Sequence, residues 1–303
     1  MALQQKIEHS RTTGILDVSS MNLLSLPTLP DNLTQLFCNG NQLATLPPLP
    51  ITLSILWCYD NQLTTLPPLP ETLRELCCWN NPLTTLPTLP VSLRRLNCAN
   101  TQLAILPPLP ENFTELFCYC NRITSLPTLP KTLKKLYCHG NQLITLPSLP
   151  ENLRDLHCSD NQLVTLPTLP ENLRELYCYN NQLTKIPTLP HRLNHIHCAR
   201  NQLATLPLLP ENLQYCVYYG NPYTTTFANL ISSENFAHTI HNIREYYVRV
   251  EKQIRDTKSL QQTIGSVKTC TLHDDCLNIV GSYLSGQTGT LSIQLRKMRN
   301  ILS

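Results

Sequence analysis

This chain is short of glycine, short of charge, and without a long apolar run. Glycine supplies 8 of its 303 residues and charged residues 14%. No stretch approaches the ~18 consecutive apolar residues of a membrane span, so no membrane contact is expected. Met1–Ser10 holds no apolar run behind a basic end, so no Sec signal peptide is expected. Charge this sparse, with 42% hydrophobic residues, excludes a disordered chain. A net charge of +3 selects no class of partner. Proline is missing from residues 223–303, whereas all 25 prolines lie between Pro27 and Pro222. Two regions therefore follow different rules.

The first region repeats every 20 residues. One unit runs from Leu33, through Leu36, Cys38, Asn41, Leu43 and Leu46-Pro47, to Leu49-Pro50. The strand position returns at Leu16, Leu36, Leu56 and onward to Ile196 and Cys216, which gives eleven candidate strands. Leu36 and Cys38 alternate with Phe37 and Asn39, the period of a strand with one buried face. Asn41 follows where the chain turns and leaves backbone groups unpaired, and stacked Asn side chains satisfy such groups from coil to coil. The preceding residue is Gly40, Asp60, Asn80, Asn100, Gly140, Asp160, Asn180 or Gly220, types that tolerate positive φ. Leu-Pro-x-Leu-Pro excludes an α-helix and favours polyproline II on the outer side. One coil cannot bury its Leu face, but a stack can, with its open ends covered.

These tandem Leu-Pro-x-Leu-Pro units resemble the LPX-type leucine-rich repeats of secreted bacterial effectors, the IpaH and YopM types. The Cys at the third inward position, as in Leu136-Tyr137-Cys138, also resembles leucine-rich-repeat proteins of giant DNA viruses. The resemblance implies a mainly β solenoid: a curved leucine-rich-repeat stack with a parallel sheet on its concave face and a polyproline-II convex side. The expected organisation is an N-terminal extension (1–11), a solenoid of about ten repeats (12–222) and a helical C-terminal cap or tail (223–303).

Nine cysteines occupy one repeat position, from Cys38 to Cys198. Neighbouring strands lie about 4.8 Å apart, within disulfide range, but in-register side chains run parallel and do not converge. A straight row likewise offers zinc no tetrahedron, so no metal is expected. Small buried thiols are the expectation, which implies an intracellular, reducing compartment. Cys77 and Cys120 should face outward.

The residues beside the inward Cys should point out from the concave sheet. They place Phe37, Trp57, Phe117, Tyr137 and Tyr177 in one column, and Tyr59, Trp79, Tyr119 and Tyr179 in the next. Rings on an open concave sheet are costly to leave wet and favour a protein partner. Asn97 and Ala99 interrupt them, which suggests two patches. A charged column runs Glu75, Arg95, Glu115, Lys135, Asp155, Glu175, His195, beside a basic one of Arg74, Arg94, Lys134, Arg154 and Arg174. Glu71, Glu151 and Glu171 lie three residues before Arg74, Arg154 and Arg174, and Glu111 holds the same repeat position ahead of Thr114, so a salt-bridged edge is expected. Residues 1–222 carry 14 Lys and Arg against 14 Asp and Glu, and nucleic-acid binding would want a net basic stripe. Polar types recur by position and form no nucleophile–base cluster, so neither an enzyme nor a cofactor is expected.

In the tail, Phe236, Ile240, Ile243, Tyr247, Val250 and Ile254 share one helical face. Further helices are expected near 274–284 and from about residue 290. The stretch carrying Leu272, Leu277, Ile279, Tyr283 and Leu284 resembles the first helix of an F-box, with His273 where that motif has Pro. That resemblance implies an adaptor recruiting a cullin-type ubiquitin ligase. The leading expectation is a non-enzymatic protein-binding module, serving a pathogen or virus against its host.

Overall fold

The computed structural model describes residues 3–223 together with Glu245, Tyr246, Val248, Arg249, Lys252, Ile254 and Arg255. Helix α1 (Leu3–Thr13) opens the chain. Eleven three-residue strands follow, one per repeat: β1 (Ile15–Asp17), β2 (Gln35–Phe37), β3 (Ile55–Trp57), β4 (Glu75–Cys77), β5 (Arg95–Asn97), β6 (Glu115–Phe117), β7 (Lys135–Tyr137), β8 (Asp155–His157), β9 (Glu175–Tyr177), β10 (His195–His197) and β11 (Tyr215–Val217). They form a single parallel sheet in sequence order. The register matches equivalent repeat positions, Leu36 opposite Leu56 and Leu136 opposite Leu156. The stack is a parallel β-solenoid, as the period requires.

Each strand buries its middle residue and exposes the flanking two in part. The leucines at 33, 36 and 43 of the first full repeat are fully buried, as are their counterparts in the coils up to Leu193, Ile196 and Leu203. Phe113 replaces one of these leucines and is the bulkiest fully buried side chain. All nine in-register cysteines are buried and unbridged. Burial pushes the Cys98 and Cys138 thiols up to about 12, so this row is protonated and inert.

The Asn row closes the turn. Asn61 Nδ2 donates to the carbonyls of Cys38 and Cys58, at 3.0 and 3.1 Å, while its Oδ1 accepts from Leu43 N at 3.0 Å. One side chain thus ties two coils, and the same set recurs at Asn81, Asn141, Asn161, Asn181 and Asn201. The residue before each Asn lies at positive φ, as at Asp60 (52°) and Asn80 (53°). The left-handed turn extends to Cys120 (54°) and Arg200 (53°), bulkier residues that the sequence types did not single out. At Gly140 (64°) there is a second reason for glycine, since a Cβ would lie 3.2 Å from Cys120 Sγ.

The N-terminal extension, to which the repeat assigns no structure, is a cap. α1 buries Ile7 and Ser10 against the first coil. It stops at Gly14, whose φ is +70° and whose amide donates to Ser10 O at 2.8 Å. At the other end, Tyr218 stands where Cys is usual, and Tyr218, Tyr223 and Tyr246 pack against the core. The seven described positions beyond residue 223 are all in helical conformation. Of the expected tail stripe, Ile254 is among them; Phe236, Ile240, Ile243, Tyr247 and Val250 are outside the described residues.

Candidate protein-binding face

The concave sheet displays the rings. Phe37, Trp57, Phe117, Tyr137 and Tyr177 end their strands, and Tyr59, Trp79, Tyr119 and Tyr179 sit two residues later. All nine are half-buried. Their neighbours on the inner side are Leu and Cys at 0% exposure, so the pleat alone sets this orientation.

The rings touch across strands and form two groups. In the first, Phe37 meets Trp57 edge-on at 4.9 Å between centroids, and Tyr59 stacks on Trp79 at 4.7 Å. Trp57 and Tyr59 join the two columns at 6.3 Å. The Trp57 Nε1 donates to Glu75 Oε1 at 3.0 Å, which fixes the indole. The row then breaks at Cys77, Asn97 and Ala99.

The second group is longer and contains histidines. Phe117 meets Tyr137 at 4.9 Å, Tyr137 stacks on His157 at 4.0 Å, and His157 meets Tyr177 at 4.3 Å. In the adjoining column Tyr119 stacks on His139 at 4.5 Å, and Tyr179 lies 4.3 Å from His197. Sequence reasoning named the tyrosines and passed over His139, His157 and His197 as ring partners. Their positions in the same two columns were the available signal. Burial lowers the pKa of all three histidines, so each is a neutral aromatic at neutral pH. Burial, then Asp155, pushes the Tyr137 hydroxyl up to about 12.

Charge falls into bands. Arg95 bridges Glu75 and Glu115 at 3.3 and 3.0 Å, and Lys135 reaches Asp155 at 3.7 Å. The column of strand-starting residues is therefore ion-paired. The basic column is not: Arg74, Arg94, Lys134, Arg154 and Arg174 are exposed and make no ion pair among the described residues. Among the described residues Glu71, Glu151 and Glu171 make no pair with the basic column, and Glu171 instead meets His191 Nδ1 at 3.0 Å. Both sets of side chains are exposed, and there water competes for long side chains.

Cys77 is half-buried and Cys120 exposed. Among the described residues no helix is long and apolar enough to cross a membrane. Leu272, Leu277, Ile279, Tyr283 and Leu284 are outside the described residues.

Comparison with known proteins agrees with this geometry. A family model described as leucine-rich repeats in two copies matches residues 151–191. No curated protein matches the chain. Among solved structures, YopM from Yersinia enterocolitica WA-314 is 37% identical, with a TM-score of 0.60 over 67% of this chain and 50% of its own. The functional domain of InlJ from Listeria monocytogenes, which includes a cysteine ladder, is 27% identical, with a TM-score of 0.57 over 70% of this chain and 55% of its own. The leucine-rich repeat domain of LRIM1, 18% identical with a TM-score of 0.56, shares the fold over 89% of this chain and 84% of its own. The chain is a leucine-rich-repeat solenoid resembling bacterial effector repeats of the YopM kind. It spans half the length of the YopM chain it matches.

Proposed function

We propose that this solenoid holds a partner protein on its concave rings, as a pathogen- or virus-encoded module acting on a host inside a reducing compartment. The observation that carries the reading is the pair of ring clusters on an otherwise open sheet. Half-buried Trp57, Trp79, Tyr137 and Tyr177 gain by leaving water when a partner covers them. The likeness to YopM and InlJ supports the pathogen setting, and the unbridged thiol row supports a reducing compartment. A protein partner fits better than a nucleic acid, because the concave columns carry more carboxylates than cations.

Residues 223–303 serve as a helical cover for the last coil in this reading. The helical conformation of the described positions and the packing of Tyr246 on the core support it. A further role in recruiting a cullin-type ligase through Leu277 and Ile279 rests on the F-box resemblance. Charge substitution at both positions should abolish pull-down of the ligase adaptor subunit.

The test of the main reading is proximity labelling in host cells with the wild-type chain and a Trp57→Ala/Trp79→Ala variant. The variant should lose specific neighbours while keeping its circular dichroism and melting temperature. An unchanged set of neighbours would reject the ring surface. Loss of fold would make the tryptophans structural.

A further inference from the structure

The strand-starting column alternates in sign until β8. Glu75, Arg95, Glu115 and Lys135 alternate, and Arg95 shows what that achieves: one guanidinium lies between carboxylates on the strands either side of it. At β8 and β9 the alternation fails. Asp155 and Glu175 are direct neighbours in the parallel register, with about 4.8 Å between strands. Lys135 serves Asp155 from the far side at 3.7 Å. No Lys or Arg among the described residues pairs with Glu175. Its ion-pair partner among the described residues is His157 Nε2 at 3.5 Å, a half-buried ring that is neutral at neutral pH. Like charges side by side across a sheet are destabilising unless a cation joins them.

Rings flank this place. Tyr177 shares β9 and the concave face with Glu175. Beyond Tyr177 the ring row opens, since the Tyr177–His197 centroids are 6.2 Å apart at 70°, against 4.0 Å and 5° for Tyr137–His157. One face of Tyr177 is therefore not covered by a stacked neighbour. Among the described residues no three His, Cys, Asp or Glu side chains are grouped as metal ligands. An organic cation suits rings beside carboxylates, and the planar guanidinium suits them better than an ammonium because it stacks and pairs at once. The chain uses the same chemistry itself where Arg200 lies over the Tyr219 ring, 6.0 Å from its centroid.

We infer that the concave floor at β8 and β9 seats an arginine side chain of the partner, stacked on Tyr177 and paired with Glu175 and Asp155. The partner's arginine completes the alternation that Arg95 completes within the chain. This rests on the concave face being the protein-binding surface.

The experiment is panning of a displayed library of random dodecapeptides against the full chain, followed by calorimetry of the selected peptides. Arginine should be enriched at one position. Affinity should fall tenfold or more with Glu175→Gln, with Tyr177→Ala, and with citrulline in place of that arginine. The citrulline arm leaves the protein unaltered, so it decides the matter even if a variant fails to fold. Peptides that lack arginine but are lost with Tyr137→Ala would overturn the arginine seat and keep the concave face. Peptides indifferent to every concave substitution, or no selected peptides, would overturn both.

Discussion

The imidazole of His157 lies flat on the ring of Tyr137, with centroids 4.0 Å apart and planes 5° apart. The contact joins β7 to β8 on the concave side and makes a titratable group part of an aromatic row. Stability and surface chemistry are therefore coupled through pH.

His139, His157 and His197 have pKa values held below the ordinary 6.5, by burial first. Below that value the unfolded chain binds protons that the folded chain refuses. Their contribution to stability is complete above 6.5 and is lost as pH falls through the depressed values. Asp155 acts oppositely at lower pH, since burial, then Glu175, raises its pKa above 3.8 and the folded chain takes up its proton first. The urea midpoint should drop between pH 7.5 and 5.5. Replacing the three histidines by Gln should flatten that slope, and an undiminished slope would place the titration elsewhere.

Asn141→Ala should be severe. It removes the donors to Cys118 O and Cys138 O and the acceptor for Ile123 N, all in the interior. A cost of about 3 kcal/mol or more follows from the unsatisfied groups left behind. Chemical denaturation would show it as a lower midpoint, and a near-neutral result would mean that water replaces the amide.

Thr101 is the exception in the Asn row. Its hydroxyl lies within reach of two acceptors, Cys98 O at 3.1 Å and the Asn121 side-chain carbonyl oxygen, with one proton to donate between them, and it offers Leu83 N no counterpart of the Asn81–Leu63 bond. Thr101→Asn should restore that link and stabilise the stack by about 1 kcal/mol. A decrease in melting temperature would show that the site has repacked around the smaller residue.

Thiol reactivity should separate by column. Under native conditions iodoacetamide should modify exposed Cys120 first among the described cysteines. Cys77 should react slowly, because burial, then Glu75, pushes its pKa up to about 12. The row from Cys38 to Cys198 should react only in denaturant, as mapped by peptide mass spectrometry. Native modification of Cys118 or Cys138 would contradict the register.

The stack was legible because its determinants are local and repeated. Leu36, Cys38 and Asn41 each have one role, and eleven copies average out exceptions. The outward direction of Trp57 and Tyr137 followed from the two-residue pleat. The cap was not legible in the same way: α1 has Ile7 as its buried apolar residue, too little periodicity to announce a helix. Positive φ at Arg200 and Cys120 was missed because the neighbouring coils impose the turn whatever the side chain. The histidine rings were missed because only Phe, Trp and Tyr were taken as rings, whereas contact with Tyr137 or Tyr119 makes imidazole a stacking partner. The expected Glu71–Arg74 type of pair failed because spacing brings charges near without ordering them.

The ringed concave sheet is the surface proposed to meet a partner. A photo-crosslinking residue at Tyr59 or Tyr137, compared with one at Ile105 or Ile144, tests it directly. The latter two are 65% and 56% exposed and lie off the strand sheet. In host cells the two concave positions should yield a discrete adduct and the other two none. Adducts of equal yield from Ile105 and Ile144, or none from Tyr59 and Tyr137, would mean that a partner meets some other surface.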